Sequence, residues 1–349
     1  MSDASGGAPG GESRGEPEAP FSRSRAADAA KPAGEQTPDF QAHVRAARSE
    51  FESQVAHARA EFEEANERIK QRTGRDLIGA ILIGLAIGLA LIASLIFLKQ
   101  VFILFALAAS TLGIFELHRA LTGAGRRVDI VPQLAAGTVL VIAGYFADPW
   151  LHWVTVFAAV AFVVVWRMIA QMAARDGRTY GLVLGDVLIA AFVQLYVPFL
   201  TSLCVALLSQ DHGEWWVLAF IIVVVASDTG AYAAGLSFGK HPMAPRISPK
   251  KTWEGFAGAA AAALVAGVLL AIFMLHLPAW TGVVIGALIL LTATLGDLGE
   301  SMVKRDIGIK DMSSWLPGHG GVLDRLDSIL PSAAAALALY YLLNPLAAS

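Results

Sequence analysis

The sequence predicts an all-α polytopic integral membrane protein of about nine transmembrane helices, preceded by a disordered N-terminal tail and an amphipathic cytoplasmic helix. Three observations carry this. Of 349 residues, 56% are hydrophobic and 16% charged, whereas a soluble domain is about one-quarter charged. The apolar residues form continuous runs near the ~20 residues that cross a bilayer as a helix, not the alternation of a barrel strand. Lys and Arg gather in every second loop, as they do in cytoplasmic loops.

Residues 1–38 are rich in Gly, Pro, Ala, Ser and charge and contain no apolar segment of a signal peptide, so they are expected to be disordered. Residues 39–75 change character. Phe40, Val44, Phe51, Val55, Phe62 and Ile69 recur at mostly four- and seven-residue spacing among alternating charges. That pattern fits an amphipathic helix or a short coiled coil; a solvated helix held by Glu/Arg pairs is the favoured reading over a partner-binding device. Residues 76–349 are expected to form one membrane-embedded domain, with spans near 77–98, 101–118, 130–147, 150–172, 183–208, 215–237, 256–276, 280–298 and 329–345.

Arg72 and Arg75 precede the first span, and alternate loops then carry Arg119, Arg126 and Arg127; Arg175 and Arg178; Lys240, Arg246, Lys250 and Lys251; and Lys304, Arg305, Lys310 and Arg325. The intervening loops hold Lys99 alone, with Trp150, Trp153, Trp215, Trp216 and Trp280 in or beside them as interface anchors. The N-terminus is therefore expected in the cytoplasm and the C-terminus outside. No internal repeat of the kind found in many transporters is visible. The single cysteine, Cys204, excludes an intrachain disulfide and a cysteine-based metal site.

Two polar loops, both on the cytoplasmic side of this topology, concentrate the chemistry. In the first, Asp228 falls inside the sixth span, where a carboxylate is costly and should face the bundle interior and a partner. "ISPKKTWEG" resembles a helix start, with Ser248 as cap and Pro249 in the first turn. Lys250 and Lys251 would then stand beside unpaired backbone N–H groups, an arrangement that binds anions; an ordinary positive loop is the alternative.

In the second loop, Asp297, Ser301 and Lys304 share a helical face, and Asp324 and Asp327 share another. Carboxylates and a hydroxyl are hard oxygen ligands of the kind Mg²⁺ takes, with substrate phosphates completing the shell. Lys304, Arg305, Lys310 and Arg325 offer cations to phosphoryl oxygens. Gly320 and Gly321 let backbone approach an anion closely, and His319 can donate a hydrogen bond or handle a proton. Glu300 and Lys304 are spaced for an i,i+4 ion pair.

"SMVKRDIGIKDMSSWLPGHGGVLDRLDS" closely resembles the signature of the phosphatidate cytidylyltransferases, or CDP-diacylglycerol synthases. Ser301, Lys304, Arg305, Lys310, Asp311, Pro317 to Gly321, Asp324, Arg325 and Asp327 fit that signature without a gap. "SDTGAY", "ISPKKTWEG" and "GDLGES" resemble the same family, and the likeness covers about residues 77–345. The resemblance implies transfer of the cytidylyl group of CTP to phosphatidic acid, forming CDP-diacylglycerol and pyrophosphate for phospholipid synthesis. It implies Mg²⁺ and a paired-cation centre in which K⁺ is a candidate second ion. Asp297 and Asp324 would hold the metal centre with Ser301 nearby and Asp327 beside it. Lys304, Arg305 and His319 would act in catalysis, and Asp228, Lys240, Ser248, Lys250, Lys251, Lys310, Gly320, Gly321 and Arg325 in substrate binding. A homodimer in the inner (plasma) membrane is expected from the same likeness, with the lipid bilayer as partner and no nucleic acid. A CTP-dependent polyprenol kinase, an ion-coupled transporter using Asp228 and Asp297, and a scaffold built on the N-terminal segment are the competing readings.

Overall fold

The computed structural model describes residues 50, 53, 57, 77–174, 177–313 and 320–347, with the side chains of 77–84 and 87 excepted. The chain divides into two compact units, 1–63 and 64–349. In the first, Glu50, Ser53 and His57 are helical; the expected tail over 1–38 and nearly all of the amphipathic segment lie outside the described residues.

Among its described residues, the regular elements of the second unit are helices except for one small hairpin. Its elements are α1 (Leu77–Phe97), α2 (Lys99–Gly123), α3 (Ile130–Phe146), α4 (Pro149–Ala173), α5 (Tyr180–Leu208), α6 (Gly213–Phe238), β1 (Pro242–Ala244), β2 (Ser248–Thr252), α7 (Trp253–Phe273), α8 (Ala279–Asp306), α9 (Leu323–Leu326) and α10 (Ile329–Leu343), closed by a 3₁₀ turn at Asn344–Leu346. Among the described residues, seven helices are long and apolar enough to cross a membrane: α2, α4, α5, α6, α7, α8 and the run Leu323–Leu346. Two shorter apolar stretches, Gly88–Phe97 and Ile130–Phe146, fall where the first and third of the nine expected spans were placed. In hydrocarbon a helix satisfies its backbone groups internally, which is why these runs adopt no other form.

Local sequence sets the breaks. Asp148 caps α4, accepting from Trp150 N and Leu151 N at 3.0 Å each, with Pro149 in the first turn. In α5, Pro198 removes a backbone donor, and the helix widens to a π turn at Leu195–Phe199 before resuming. Thr252 caps α7 by accepting from Gly255 N (3.1 Å).

The expected helix start at "SPKK" is not observed. Ser248–Thr252 is the second strand of an antiparallel hairpin with Pro242–Ala244, pairing Ala244 with Ser248 and Pro242 with Thr252. The helix begins only at Trp253, with Thr252 rather than Ser248 as its cap. Backbone pairing with a strand that Pro242 opens outweighs the local Ser-Pro signal.

The main core lies among α5, α6, α7, α8 and α10, around Phe220, Val223, Ala263, Ile289 and Leu339. At small residues, α7 comes into backbone contact with α6 on one side and α8 on the other. A Cβ on Gly230 would sit 2.6 Å from Gly258 O, and one on Gly282 would sit 2.6 Å from Gly267 O, so small residues let these backbones touch. A second core joins Ile114, Leu117 and Leu121 of α2 to Val193 and Val197 of α5 and to Met312 and Leu323. It anchors the polar segment after α8 from beneath.

Candidate active site

Three pieces of chain converge on one polar cleft: the β1–β2 hairpin, the C-terminal third of α8, and the segment leading into α9. From the hairpin, Lys251 reaches across to pair with Asp297 on α8; both side chains stay partly open to solvent. Ser301, one turn on, points its hydroxyl at Asp297 Oδ1 (3.4 Å). Asp228 of α6 interacts electrostatically with Asp297, Asp327, Lys251 and Arg325, so these groups gather on one side. Asp228 thus faces charged partners, as a carboxylate inside a span requires, while its side chain stays accessible through the open cleft that it shares with Asp297.

Deeper in, Lys304 serves two carboxylates at once, donating to Glu300 Oε2 and Asp324 Oδ1 at 2.8 Å each. The Glu300 partner is the i,i+4 pair that the spacing predicts. Asp324 also accepts from Gly321 N (2.8 Å) and Met312 N (3.0 Å). It thus folds the segment on both sides of itself back onto α8. Gly320 has φ +81°, open to glycine without strain. Asp327 accepts from Ser328 N (2.7 Å) and faces the Glu300 carboxyl. Arg305 donates to Ile247 O in the hairpin turn and to Ile309 O, both at 3.2 Å, tying the hairpin to the end of α8.

Lys240, Lys250, Lys310 and Arg325 are exposed, and Ser248 is half-buried in β2. Lys240 contributes its backbone N–H to Glu254 Oε2 (3.1 Å). Pro317, Gly318 and His319 lie outside the described residues.

Sequence reasoning missed Glu116. This residue of α2 is 1% exposed, and its carboxylate accepts from Val322 N (2.9 Å), Leu323 N (2.8 Å) and the Ser313 hydroxyl (2.5 Å). It satisfies the amides that open α9 and pins both flanks of the Pro-Gly-His-Gly-Gly segment. A Cβ on Gly321 would meet Glu116 Oε2 at 2.7 Å, so this glycine is required for the contact. The available signal was a lone carboxylate inside an apolar run, nearly two hundred residues from the loop it holds.

The donors at this site suit a hard cation in kind. Asp228, Asp297, Glu300 and Asp327 supply only oxygen, and Glu300 Oε1 is buried without a hydrogen-bond partner. Among the described residues, however, no three His, Cys, Asp or Glu side chains stand close enough to share one ion.

Fold and site together define a helical membrane protein that gathers lysines and carboxylates in one cleft. The model of the cytidylyltransferase family matches residues 78–343. A phosphatidate cytidylyltransferase of Mycobacterium bovis is 42% identical over 278 residues, covering 76% of this chain and 88% of its own. One from Mycobacterium leprae is 39% identical over 288 residues, covering 78% and 90%. One from Haemophilus influenzae is 46% identical over 127 residues, covering 34% and 43%. The chain belongs to the cytidylyltransferase family, and is a nucleotidyltransferase embedded in a membrane.

Proposed function

We propose that this enzyme transfers the cytidylyl group of CTP to phosphatidic acid, forming CDP-diacylglycerol and pyrophosphate. The observation that carries the reading is the paired arrangement of Lys251 with Asp297 and Lys304 with Asp324 in one cleft of a family member. An oxygen of the phosphatidate phosphate attacks the α-phosphorus of CTP. The new P–O bond forms as the bond to the β-phosphate oxygen breaks, and pyrophosphate leaves with the electron pair. Such a displacement asks for positioning and charge neutralisation more than covalent help.

Lys251 and the exposed Lys250 lie where a triphosphate entering over the hairpin would meet them. Lys304 and Arg305 stabilise charge developing on the leaving group, His319 donates a hydrogen bond or handles a proton, and the backbone at Gly320 and Gly321 lets a phosphate approach closely. Lys240, Lys310 and Arg325 add cations around the mouth, and Ser248 and Asp228 border the substrate. Asp297, with Ser301, Asp324 and Asp327, would hold Mg²⁺, with K⁺ as a candidate second ion. A divalent cation held by these residues would supply charge neutralisation between the two anionic reactants.

Loop charge supports a cytoplasmic N-terminus and site, an outward C-terminus, and placement in the inner membrane, where CTP is available on one face and the lipid within it. A homodimer is proposed on the family likeness alone.

The test is direct. Full-length protein with CTP, phosphatidic acid and Mg²⁺ releases pyrophosphate and moves labelled cytidine into lipid; chelation with EDTA stops it and Mg²⁺ restores it. Asp297→Asn and Asp324→Asn each lower turnover by about 10²-fold or more, the scale of a lost transition-state electrostatic contact. Near-normal turnover in both variants would remove these residues from the site.

A further inference from the structure

We propose that a cavity at the far end of the bundle from the catalytic cleft is a site for an uncharged lipid with a free hydroxyl, of the diacylglycerol class. The cavity holds about 560 Å³, within the range of small-molecule sites. It lies between the start of α4, the last turns of α5 and the second half of α10. α10 leaves the catalytic segment at Ile329, and Tyr341 on the cavity wall stands about 18 Å further along the helix at 1.5 Å per residue.

The lining selects against charge. None of the residues that form it is Lys, Arg, Asp or Glu, so a phosphate or an ammonium would lose its hydration and find no counter-charge. Phe199, Leu203, Ala206 and Leu337 supply apolar wall, and Ser209 and Gln210 stand past the end of α5. Trp153, Ala338 and Tyr341 are exposed on the same lining, so the cavity opens sideways between α4 and α10, where lipid tails run.

His152 sets what the occupant must bring. It is 6% exposed, and its Nε2 lies 2.9 Å from the Ser202 hydroxyl. That hydroxyl gives its one proton to Phe199 O (2.7 Å), so toward the ring it can only accept. Nε2 therefore carries the ring proton, and Nδ1 is left as an acceptor, since no carboxylate lines the cavity to hold a second proton there. Nδ1 has no hydrogen-bond partner among the described residues, yet packing does not seal it off; what it meets is the cavity that the ring lines. An acceptor so placed is costly without a donor. A water could meet the lone pair but not the apolar walls, whereas a lipid hydroxyl with acyl chains behind it meets both. Trp153 and Tyr341 bring an indole N–H and a phenol to the lining, donors that ester carbonyls accept from.

The experiment is native mass spectrometry of the full-length chain in neutral detergent, offered diacylglycerol or the same lipid with its hydroxyl capped as a methyl ether. Neither carries a phosphate for cytidylyl transfer, so the outcome is independent of the proposed reaction. Wild type retains diacylglycerol about fivefold over the ether, the scale of one net hydrogen bond. His152→Phe retains the two alike. Ala338→Phe, at an exposed position, narrows the opening and loses both. Equal retention of the two lipids by wild type overturns the hydroxyl contact. Retention that survives both variants places the lipid elsewhere, the catalytic cleft included, and overturns the site. A changed subunit count with unchanged lipid retention in Ala338→Phe makes this face a contact between copies and overturns it likewise. If His152→Phe fails to fold, the wild-type comparison of the two lipids and Ala338→Phe still decide.

Discussion

Glu116 holds three donors from a loop it never approaches in sequence, and its substitution separates positioning from chemistry. In Glu116→Gln one carboxylate oxygen becomes an NH₂ facing backbone amides, and the segment that presents Gly321 and Asp324 loosens. Turnover should fall about tenfold or more, as misplacement alone can do, with the KM for CTP moving less and the melting temperature only modestly lowered. Unchanged turnover would reduce Glu116 to a packing role. Lys304 makes the opposite case. Lys304→Met strands two carboxylates, one of them on Glu300 at 1% exposure. Breaking a buried pair from one side costs about 3–5 kcal/mol, so thermal unfolding in detergent should shift sharply downward. The reach of the sequence shows at this scale. Asp297, Ser301 and Lys304 were legible because four- and three-residue spacing on a helix fixes a shared face. Glu116 and the exposure of Asp228 were not, since both depend on which helix packs beside which.

Elements show the same division. Apolar runs marked the helices, and Pro149 and Asp148 marked the start of α4 because capping is local. The hairpin at Pro242–Thr252 was misjudged as a helix start. Ser248 and Pro249 satisfy both a helix N-terminus and a strand edge, and the deciding partner is a separate strand. The consequence for Lys251 is specific: a strand sends alternate residues to opposite faces, so Lys251 reaches Asp297 while Lys250 does not. Lys251→Ala should therefore cost more in turnover than Lys250→Ala, which should act mainly on the KM for CTP. Equal effects from the two would contradict the strand register. Between helices, Gly230→Leu inserts a side chain where α7 backbone already stands. Overpacking of this kind costs about 1–3 kcal/mol, read as a lowered melting temperature with the cleft residues unaltered.

For the whole molecule the decisive question is which way the bundle sits. Cys204 is the only cysteine and is not solvent-exposed, so a Cys204→Ala background supports single-cysteine labelling. In sealed inverted vesicles, cysteines placed at Lys250 and Lys310 should react with a membrane-impermeant maleimide, and one placed at Ala347 should not. Labelling of Ala347 from the same side as Lys250 would break the odd-span topology. Loop charge predicts this orientation from sequence alone, because the bias acts on composition and needs no tertiary contact.

The glycine seams joining α6, α7 and α8 have a mechanical consequence. Backbones in direct contact cannot slide without collision, so the three helices behave as one rigid wedge carrying Asp228 and Asp297 at a fixed separation. Motion that admits a nucleotide is then expected outside this wedge, and the hairpin, tied to α8 through Arg305 and Ile247, is the element to test. Spin labels at Tyr232 and Leu291 should report one narrow distance with or without CTP, whereas a label at Arg246 should change its distance to Leu291 when the nucleotide binds. A wedge that opened on CTP addition would show it first in the Tyr232–Leu291 pair.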